Sequence, residues 1–220
     1  MDSYLAVIAD LIDSRSIPDR ARAQRQIRAA LKAINQRHGQ HIASAFTLTL
    51  GDEFQALLYV DAPVFHILDE VERAITPYAP RFGIGLGTMA TPINPHQSVG
   101  ADGPAFWHAR EAVQYVHDND DYGLTRTRLK GCGEALDDVI NSALALSDAQ
   151  KRGWSAVQVQ TFHALLESGI YEDNFDQKKL AQELGISQTA LSKRLKLSGI
   201  KSYLRCRRAL QRLPREVVHG

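Results

Sequence analysis

The sequence predicts an α+β protein whose last third is helical, and three observations carry that prediction. Residues 4–9 form a short apolar run, which is typical of a strand inside a sheet. Apolar residues alternate on both sides of Gly51-Asp52, which predicts a β-hairpin with an acidic tip. From Ala149 onward apolar residues recur every three or four positions, as they do in helices.

Three amphipathic helices and two further strands complete the first part of the chain. The helices end near His38, Ile75 and His117, and the strands cover 81–88 and 122–129. In strand 81–88 every second residue from Gly83 is glycine, which predicts the close approach of another backbone, a helix or a ligand.

The order strand, helix, two strands, helix, strand is that of a ferredoxin-like βαββαβ domain, an antiparallel sheet with helices on one face. We therefore predict such a domain over residues 1–130, a connecting helix over 131–148 and a helical domain over 149–220. A chain of 220 residues is long enough for both domains.

Three carboxylates are candidates for a metal site. Asp10 ends the first strand, and Asp52 and Glu53 occupy the hairpin tip. If these strands are neighbours, Asp10 and Asp52 converge, and paired carboxylates suit Mg²⁺, which is commonly completed by water and substrate phosphates. The alternative is that Asp10 caps a turn and Gly-Asp-Glu only ends a hairpin.

Two other places in the chain are candidates for phosphate contacts. Ser14 and Arg15 follow the first strand, and Arg110 lies near the start of the third helix, after an Asp-Gly loop. Backbone N–H groups and guanidinium groups both bind phosphate oxygens. The alternative is that Ser14 caps a helix and Arg15 is solvated.

Composition restricts the class of protein. No run approaches the roughly 18 apolar residues that span a bilayer, and Asp2 stands where a targeting segment would be basic. We expect a soluble cytoplasmic protein with no membrane partner. Cys132 and Cys206 lack companions at ligand spacing, so neither a zinc site nor a disulfide is predicted.

The net charge of +1 conceals a strong asymmetry. Residues 174–215 contain eleven Lys or Arg against two acids, whereas residues 1–173 contain fifteen against twenty-two. Such segregation indicates an anion-binding C-terminal part, with nucleic acid as the first candidate.

The turn Leu184-Gly185-Ile186-Ser187 lies between two predicted helices. Gly185 tolerates the positive φ that ends a helix, and Ser187 caps the next one. This is the organisation of a helix-turn-helix, and the segment LAQELGISQTALSKRLKLSGI resembles that of many bacterial regulators. We expect DNA contacts from Gln188, Thr189, Ser192, Lys193 and Arg194, and contacts to the DNA backbone from Arg205, Arg207, Arg208, Arg212 and Arg215. The alternatives are a structural helical bundle and a solvated helix face.

The pieces YLAVIADLIDSR, TLTLGDEFQALL, RFGIGLGTMATPIN and GADGPAFWHAREAV resemble, in order, the SatD family of bacterial proteins. The first domain also resembles the palm fold of class III nucleotidyl cyclases and Gly-Gly-Asp-Glu-Phe diguanylate cyclases. In both groups the first strand ends on a metal-binding Asp and the hairpin tip supplies another acid, so the resemblance implies Mg²⁺ on Asp10 and Asp52. It also implies a catalytic role for Arg110 and nucleotide contacts from Ser14, Arg15, Gly51 and Glu53.

Two departures from those cyclases bear on activity. Phe106 stands where the class III pattern has Asn, and Leu50 replaces the first glycine of the diguanylate cyclase signature. Both argue against cyclisation but leave nucleotide binding intact.

We therefore expect a transcriptional regulator in which a nucleotide- and Mg²⁺-binding palm domain is coupled to a DNA-binding helix-turn-helix. One alternative is an active metal-dependent nucleotidyl transferase or cyclase, and another is an inactive palm that serves as a dimerisation scaffold. By analogy with other helix-turn-helix proteins and with cyclases, we expect a homodimer.

Overall fold

A computed structural model describes residues 2–49, 51–119 and 121–219. Leu50, on which one departure from the cyclase signature depends, lies outside the described residues. The strands are β1 Tyr4–Leu11, β2 Ile42–Leu48, β3 Phe54–Tyr59, β4 Pro80–Gly87 and β5 Thr127–Lys130. The helices are α1 Arg20–Arg37, α2 Val64–Ile75, α3 Pro104–Asp118, α4 Glu134–Arg152, α5 Ala156–Glu167, α6 Gln177–Glu183, α7 Gln188–Ser198, α8 Ile200–Leu210 and α9 Leu213–His219.

The described strands form one five-stranded sheet in the order β2-β3-β1-β4-β5. β1 lies in the middle and runs antiparallel to both β3 and β4, which explains why its side chains are almost all buried. β5 joins the edge parallel to β4 and is shorter than the predicted strand 122–129. The mixed α+β class is confirmed.

Helices cover both faces of the sheet. On one face Val7 and Ala9 belong to the same core cluster as Ile27 of α1 and Val71 of α2. On the other face Ala6 and Ile8 pack with α3. The expectation of helices on one face only is therefore wrong for α3, because alternate side chains of β1 are apolar on both sides and each side requires cover.

The glycines of β4 explain how closely α3 packs. A Cβ atom on Gly83 would lie 2.2 Å from the carbonyl oxygen of Ala109, and one on Gly85 would lie 2.0 Å from that of Ala105. The backbone of α3 thus occupies the space that side chains would need. The close approach predicted from the alternating glycines is that of a helix.

The C-terminal helices pack against the sheet domain through a buried ionic network. Lys151 donates to Asp69 Oδ1 at 2.6 Å, and the hydroxyls of Tyr171 and Tyr203 also donate to the Asp69 carboxylate. Arg207, predicted to contact the DNA backbone, is 3% exposed and pairs with Asp148 instead. That prediction is wrong, because α8 turns Arg207 into the interior. The division at residues 130 and 148 stays a prediction.

The local geometry between α6 and α7 follows the sequence closely. Gly185 has φ of 63°, and Ile186 N–H donates to the carbonyl of Ala181 at 3.0 Å. Ser187 Oγ accepts from the N–H of Ala190 at 3.1 Å, which satisfies one free donor of α7. Within the described residues, every helix is too short or too polar to cross a membrane.

Candidate functional site

The candidate site lies at one end of the sheet, where β1 ends and the β2–β3 hairpin turns. The register pairs Ala9 with Phe54, so Asp10 and the tip residues Asp52 and Glu53 come to the same end of adjacent strands. The chain reverses there with Gly51 at φ of 79°. The structure thus brings the acids of the two segments together.

Asp10 occupies an unusual electrostatic position. Its Oδ1 is buried and accepts no hydrogen bond from the described residues, although Arg81 Nε lies 3.2 Å away as an ion pair. Burial raises the pKa of Asp10, and the neighbouring charges of Asp52 and Glu53 add to that rise, whereas Arg81 and His117 oppose it. The ionised carboxylate is therefore held at an energetic cost, which an added cation would relieve.

Arg110 reaches the same end of the sheet from α3. Its two terminal nitrogens donate to both oxygens of Glu53, with Nη2 2.9 Å from Oε1. These hydrogen bonds, together with the charges of Glu53 and Asp10, raise the pKa of Arg110. The side chain predicted to contact phosphate is therefore engaged by Glu53, and a phosphate group would have to compete for it.

Two residues near Asp10 were not predicted as site residues. Arg81 is its register partner on β4, and His117 near the end of α3 pairs with Asp118 at 2.9 Å. Arg81 was identifiable in principle, because the end of one antiparallel strand faces the start of its neighbour. The predicted end of the third helix near His117 was close, but nothing in the sequence placed that helix end beside Asp10.

Of the two candidate residues in the loop after β1, Ser14 lies near the hairpin tip and Arg15 does not. Ser14, Gly51 and Asp52 line one recess of about 10 Å³ beside α1, whose Gln24 donates to the carbonyl of Gly51 at 2.8 Å. Arg15 is exposed and the structure does not bring it to the acids. A larger cavity of about 630 Å³ lies elsewhere, between α3, β5 and the start of α4.

Asp10 and Asp52 suit Mg²⁺ only if water and the phosphate oxygens of a ligand complete its coordination. In the described part of the chain, no group of three or more His, Cys, Asp or Glu side chains is arranged to hold a metal ion. Asp10 and Asp52 offer hard oxygen donors, and Asp10 Oδ1 lacks a hydrogen bond. A site with two carboxylates suits Mg²⁺ when water and phosphate oxygens complete the shell.

The candidate DNA surface is the outer side of α7. Gln188, Thr189, Ser192 and Lys193 are exposed, and Arg194 is half-buried. Of the arginines on α8, Arg205 and Arg208 lie 3.7 Å from Asp173 and Glu172. The basic charge available to DNA is consequently smaller than the sequence count indicates.

Comparison with known proteins gives one broad match. The SatD family model matches residues 4–213. No curated protein matches the chain. Among solved structures, the catalytic core of a rhodopsin-guanylyl cyclase with converted specificity, in complex with ATPαS, is similar with a TM-score of 0.39 and 16% identity, covering 51% of this chain and 72% of that chain. A similarity this weak supports no conclusion about activity.

Proposed function

This chain belongs to the SatD family, and from that premise we propose that it is a transcriptional regulator. In this proposal a domain that binds a nucleotide with Mg²⁺ acts on a DNA-binding helix-turn-helix. The observation that carries the proposal is the meeting of Asp10 with the hairpin acids and two guanidinium groups at one end of the sheet.

The charges at that end suit a nucleotide phosphate chain. Asp10 and Asp52 would hold Mg²⁺, which would neutralise part of the negative charge of the carboxylates and of the phosphate oxygens. Arg110 is half-exposed and would orient the phosphates once Glu53 releases it. Arg81 would remain with Asp10 and limit its flexibility. Ser14 and Gly51 lie beside Asp52, in reach of the same ligand.

Two finer assignments belong to the same proposal. The strand order β2-β3-β1-β4, with α1 and α2 on one face, supports a ferredoxin-like palm to which β5 and α3 are added. The short helices α6 and α7, the positive φ of Gly185 and the Ser187 cap support a helix-turn-helix.

Thermal shift with nucleoside triphosphates and Mg²⁺ tests the binding site. We expect the full chain to gain several degrees only when both are present, since a ligand at about 100 times its Kd adds about 2.7 kcal/mol. Asp10→Ala and Asp52→Ala should abolish the gain. Asp61→Ala, an exposed acid on the turn after β3, is the matched control and should keep it. A gain without Mg²⁺, or one that survives Asp10→Ala, would contradict the site.

A second candidate function is favoured by particular contacts. Phe106 is buried in the core between α3 and the sheet, and Arg110 is neutralised by Glu53. Both fit a palm that has lost ligand binding and serves as a scaffold for the helix-turn-helix. An absence of any nucleotide-dependent shift, with DNA binding intact, would favour it. Product formation from a nucleoside triphosphate, lost in Asp52→Ala, would instead favour a nucleotidyl transferase or cyclase.

A further inference from the structure

A cavity of about 630 Å³ lies on one face of strand β5, between helices α3 and α4. Its floor includes Arg128 and Lys130, whose register partners Gly83 and Gly85 face α3. The volume is within the range of about 300–1,000 Å³ that small-molecule sites occupy. Among the described residues that line it, none belongs to the charge cluster around Asp10. The cavity is therefore a separate candidate for a ligand site.

Arg128 brings an unmatched guanidinium group to this cavity. Its guanidinium carbon lies 3.7 Å from the ring centroid of Tyr115 on α3, a cation–π contact that restricts the orientation of the group. Arg128 is half-buried and forms no hydrogen bond or ion pair with any residue that the structure describes. Its N–H groups are therefore available to the two oxygens of a carboxylate or phosphate.

Several other charged side chains of the cavity are already satisfied within the protein. Lys130 pairs with Glu111 of α3. The two carboxylate oxygens of Asp137 accept from the N–H groups of Gly131 and Cys132 at 3.0 and 2.9 Å. These three charges do not require a ligand.

Two carboxylates on the α4 side of the cavity have no such partner. Glu134 and Asp138 are exposed, and neither forms an ion pair with Arg128 or with any other cation in the described part of the chain. They are four residues apart, so they are neighbours on the helix surface and repel each other. A cationic group bound between them would relieve that repulsion.

His108 adds a hydrogen-bond acceptor on the α3 side. Its Nδ1 lies 2.7 Å from the carbonyl oxygen of Leu86, and because a carbonyl only accepts, Nδ1 carries the hydrogen. In the neutral ring Nε2 is then an acceptor. The cavity thus combines acceptors on both helices with the donors of Arg128 on the strand between them.

We propose that this cavity binds a small zwitterion, a molecule that carries both an oxyanion and an ammonium group, of which an α-amino acid is the simplest case. Arg128 holds the oxyanion, and Glu134 and Asp138 hold the ammonium group. A ligand with only one of the two charges leaves the other side of the cavity unmatched and binds more weakly. The site requires neither the nucleotide nor DNA.

Isothermal titration calorimetry of the full chain tests the charge requirement. The common α-amino acids and O-phosphoethanolamine are titrated, and each α-amino acid that binds is compared with its desamino acid and its decarboxylated amine. We expect a zwitterion to bind about tenfold or more tightly than either of its single-charge analogues. The tighter of the two kinds of zwitterion identifies the oxyanion as a carboxylate or a phosphate.

Substitutions on the two sides should affect different ends of the ligand. Arg128→Met should weaken binding of the zwitterion about tenfold or more and leave its amine analogue unchanged. Glu134→Gln combined with Asp138→Asn should also weaken the zwitterion but leave the desamino acid unchanged. A general effect on folding would not separate the two analogues. Arg128→Lys keeps the charge but loses the planar fork, so its affinity should be intermediate.

Arg22→Met and Asp61→Asn are the matched controls, since both residues are exposed and lie outside the cavity. They should leave the Kd of the zwitterion unchanged.

An absence of binding by every α-amino acid and by O-phosphoethanolamine into the millimolar range would overturn the proposal. So would single-charge analogues that bind as tightly as the zwitterion, or a zwitterion Kd that Arg128→Met does not change. Arg128→Met should retain the thermal shift with nucleoside triphosphate and Mg²⁺ and should retain DNA binding, so this proposal and the proposed function fail separately.

Discussion

Asp69 illustrates how one buried carboxylate joins segments that are distant in sequence. It is 6% exposed and accepts from Lys151, Tyr171 and Tyr203 at 2.5 to 2.9 Å. Burial alone would raise its pKa, but Lys151 and Arg207 together hold the pKa below its ordinary value. The ionised form is therefore the stable one in the folded protein, and it requires all its partners.

Glu70 gives the clearest pH dependence at this scale. Its side chain is 1% exposed, and it accepts from His38 at 2.6 Å and from Arg37 at 2.7 Å. Burial opposes the charge, but hydrogen bonds from His38 and Arg37, together with the nearby charge of His66, lower the pKa of Glu70 far below 4.5. A depressed pKa stabilises the folded state above the unfolded pKa, and this stabilisation is lost as pH falls below it.

We therefore expect Glu70→Gln to lower the free energy of unfolding at pH 7 by about 1.5–3 kcal/mol, the usual worth of hydrogen bonds to a charged group. The difference from wild type should shrink as the pH falls below about 4.5. Urea denaturation at a series of pH values measures both. Glu167→Gln is the control, since Glu167 has 63% of its side chain exposed and should change stability little. A constant difference across all pH values would contradict the assignment.

At the scale of elements, the contact between β4 and α3 decides where the site residues meet. The glycines of β4 let the α3 backbone lie directly on the strand. Arg110 then projects from α3 toward the hairpin tip. Arg81, the second residue of β4, projects toward Asp10. The position of α3 is therefore a condition for the charge cluster.

Gly85→Ala should disrupt this contact. Its Cβ would lie 2.0 Å from the carbonyl of Ala105 and 2.3 Å from the N–H nitrogen of Ala109, both backbone atoms that cannot rotate away. We expect a loss of about 3 kcal/mol or more in the free energy of unfolding, the upper end of overpacking costs. Gly39→Ala, where nothing lies within 4 Å, is the matched control for chemical denaturation. Equal stability of the two variants would contradict the packing.

At the scale of the whole molecule, the helical part is attached to the sheet domain by buried charges as well as by apolar packing. Lys151 bridges Asp69 and Glu72 of α2, and Arg207 pairs with Asp148 while lying 5.1 Å from the ring of Phe65. Removing one partner of a buried pair costs several kcal/mol. A displacement of α2 would therefore disturb the ion pairs of α4 and α8. Regulation of DNA binding by the sheet domain would need a connection of this kind.

DNA binding is testable in the intact chain. Lys193→Ala combined with Arg194→Ala should weaken duplex binding and reduce the slope of log K against log salt by about 1.8, for two phosphate contacts. Arg22→Ala combined with Arg25→Ala removes the same charge from the exposed face of α1 and is the matched control. Fluorescence anisotropy over a range of salt concentrations measures both. Equal weakening by the two pairs would contradict a specific role for α7.

The sequence by itself determined the features whose cause is local. The alternation around Gly51-Asp52 predicted the hairpin, the glycines of strand 81–88 predicted a close backbone contact, and Gly185 with Ser187 predicted the end of α6 and the start of α7. Each depends on φ, side-chain period or capping, which a few neighbouring residues fix. The convergence of Asp10 with Asp52 was also predictable, because the end of β1 and the start of β3 lie side by side at one end of the sheet.

Only the tertiary structure decided which charges are neutralised and by which partners. The count of basic residues could not show that Arg207 is buried against Asp148 or that Arg110 is held by Glu53. The order of elements could not show that α3 covers the face opposite α1 and α2. These outcomes join residues that are tens of positions apart. Their energies depend on burial and distance, which are set by how the helices pack and not by any local pattern.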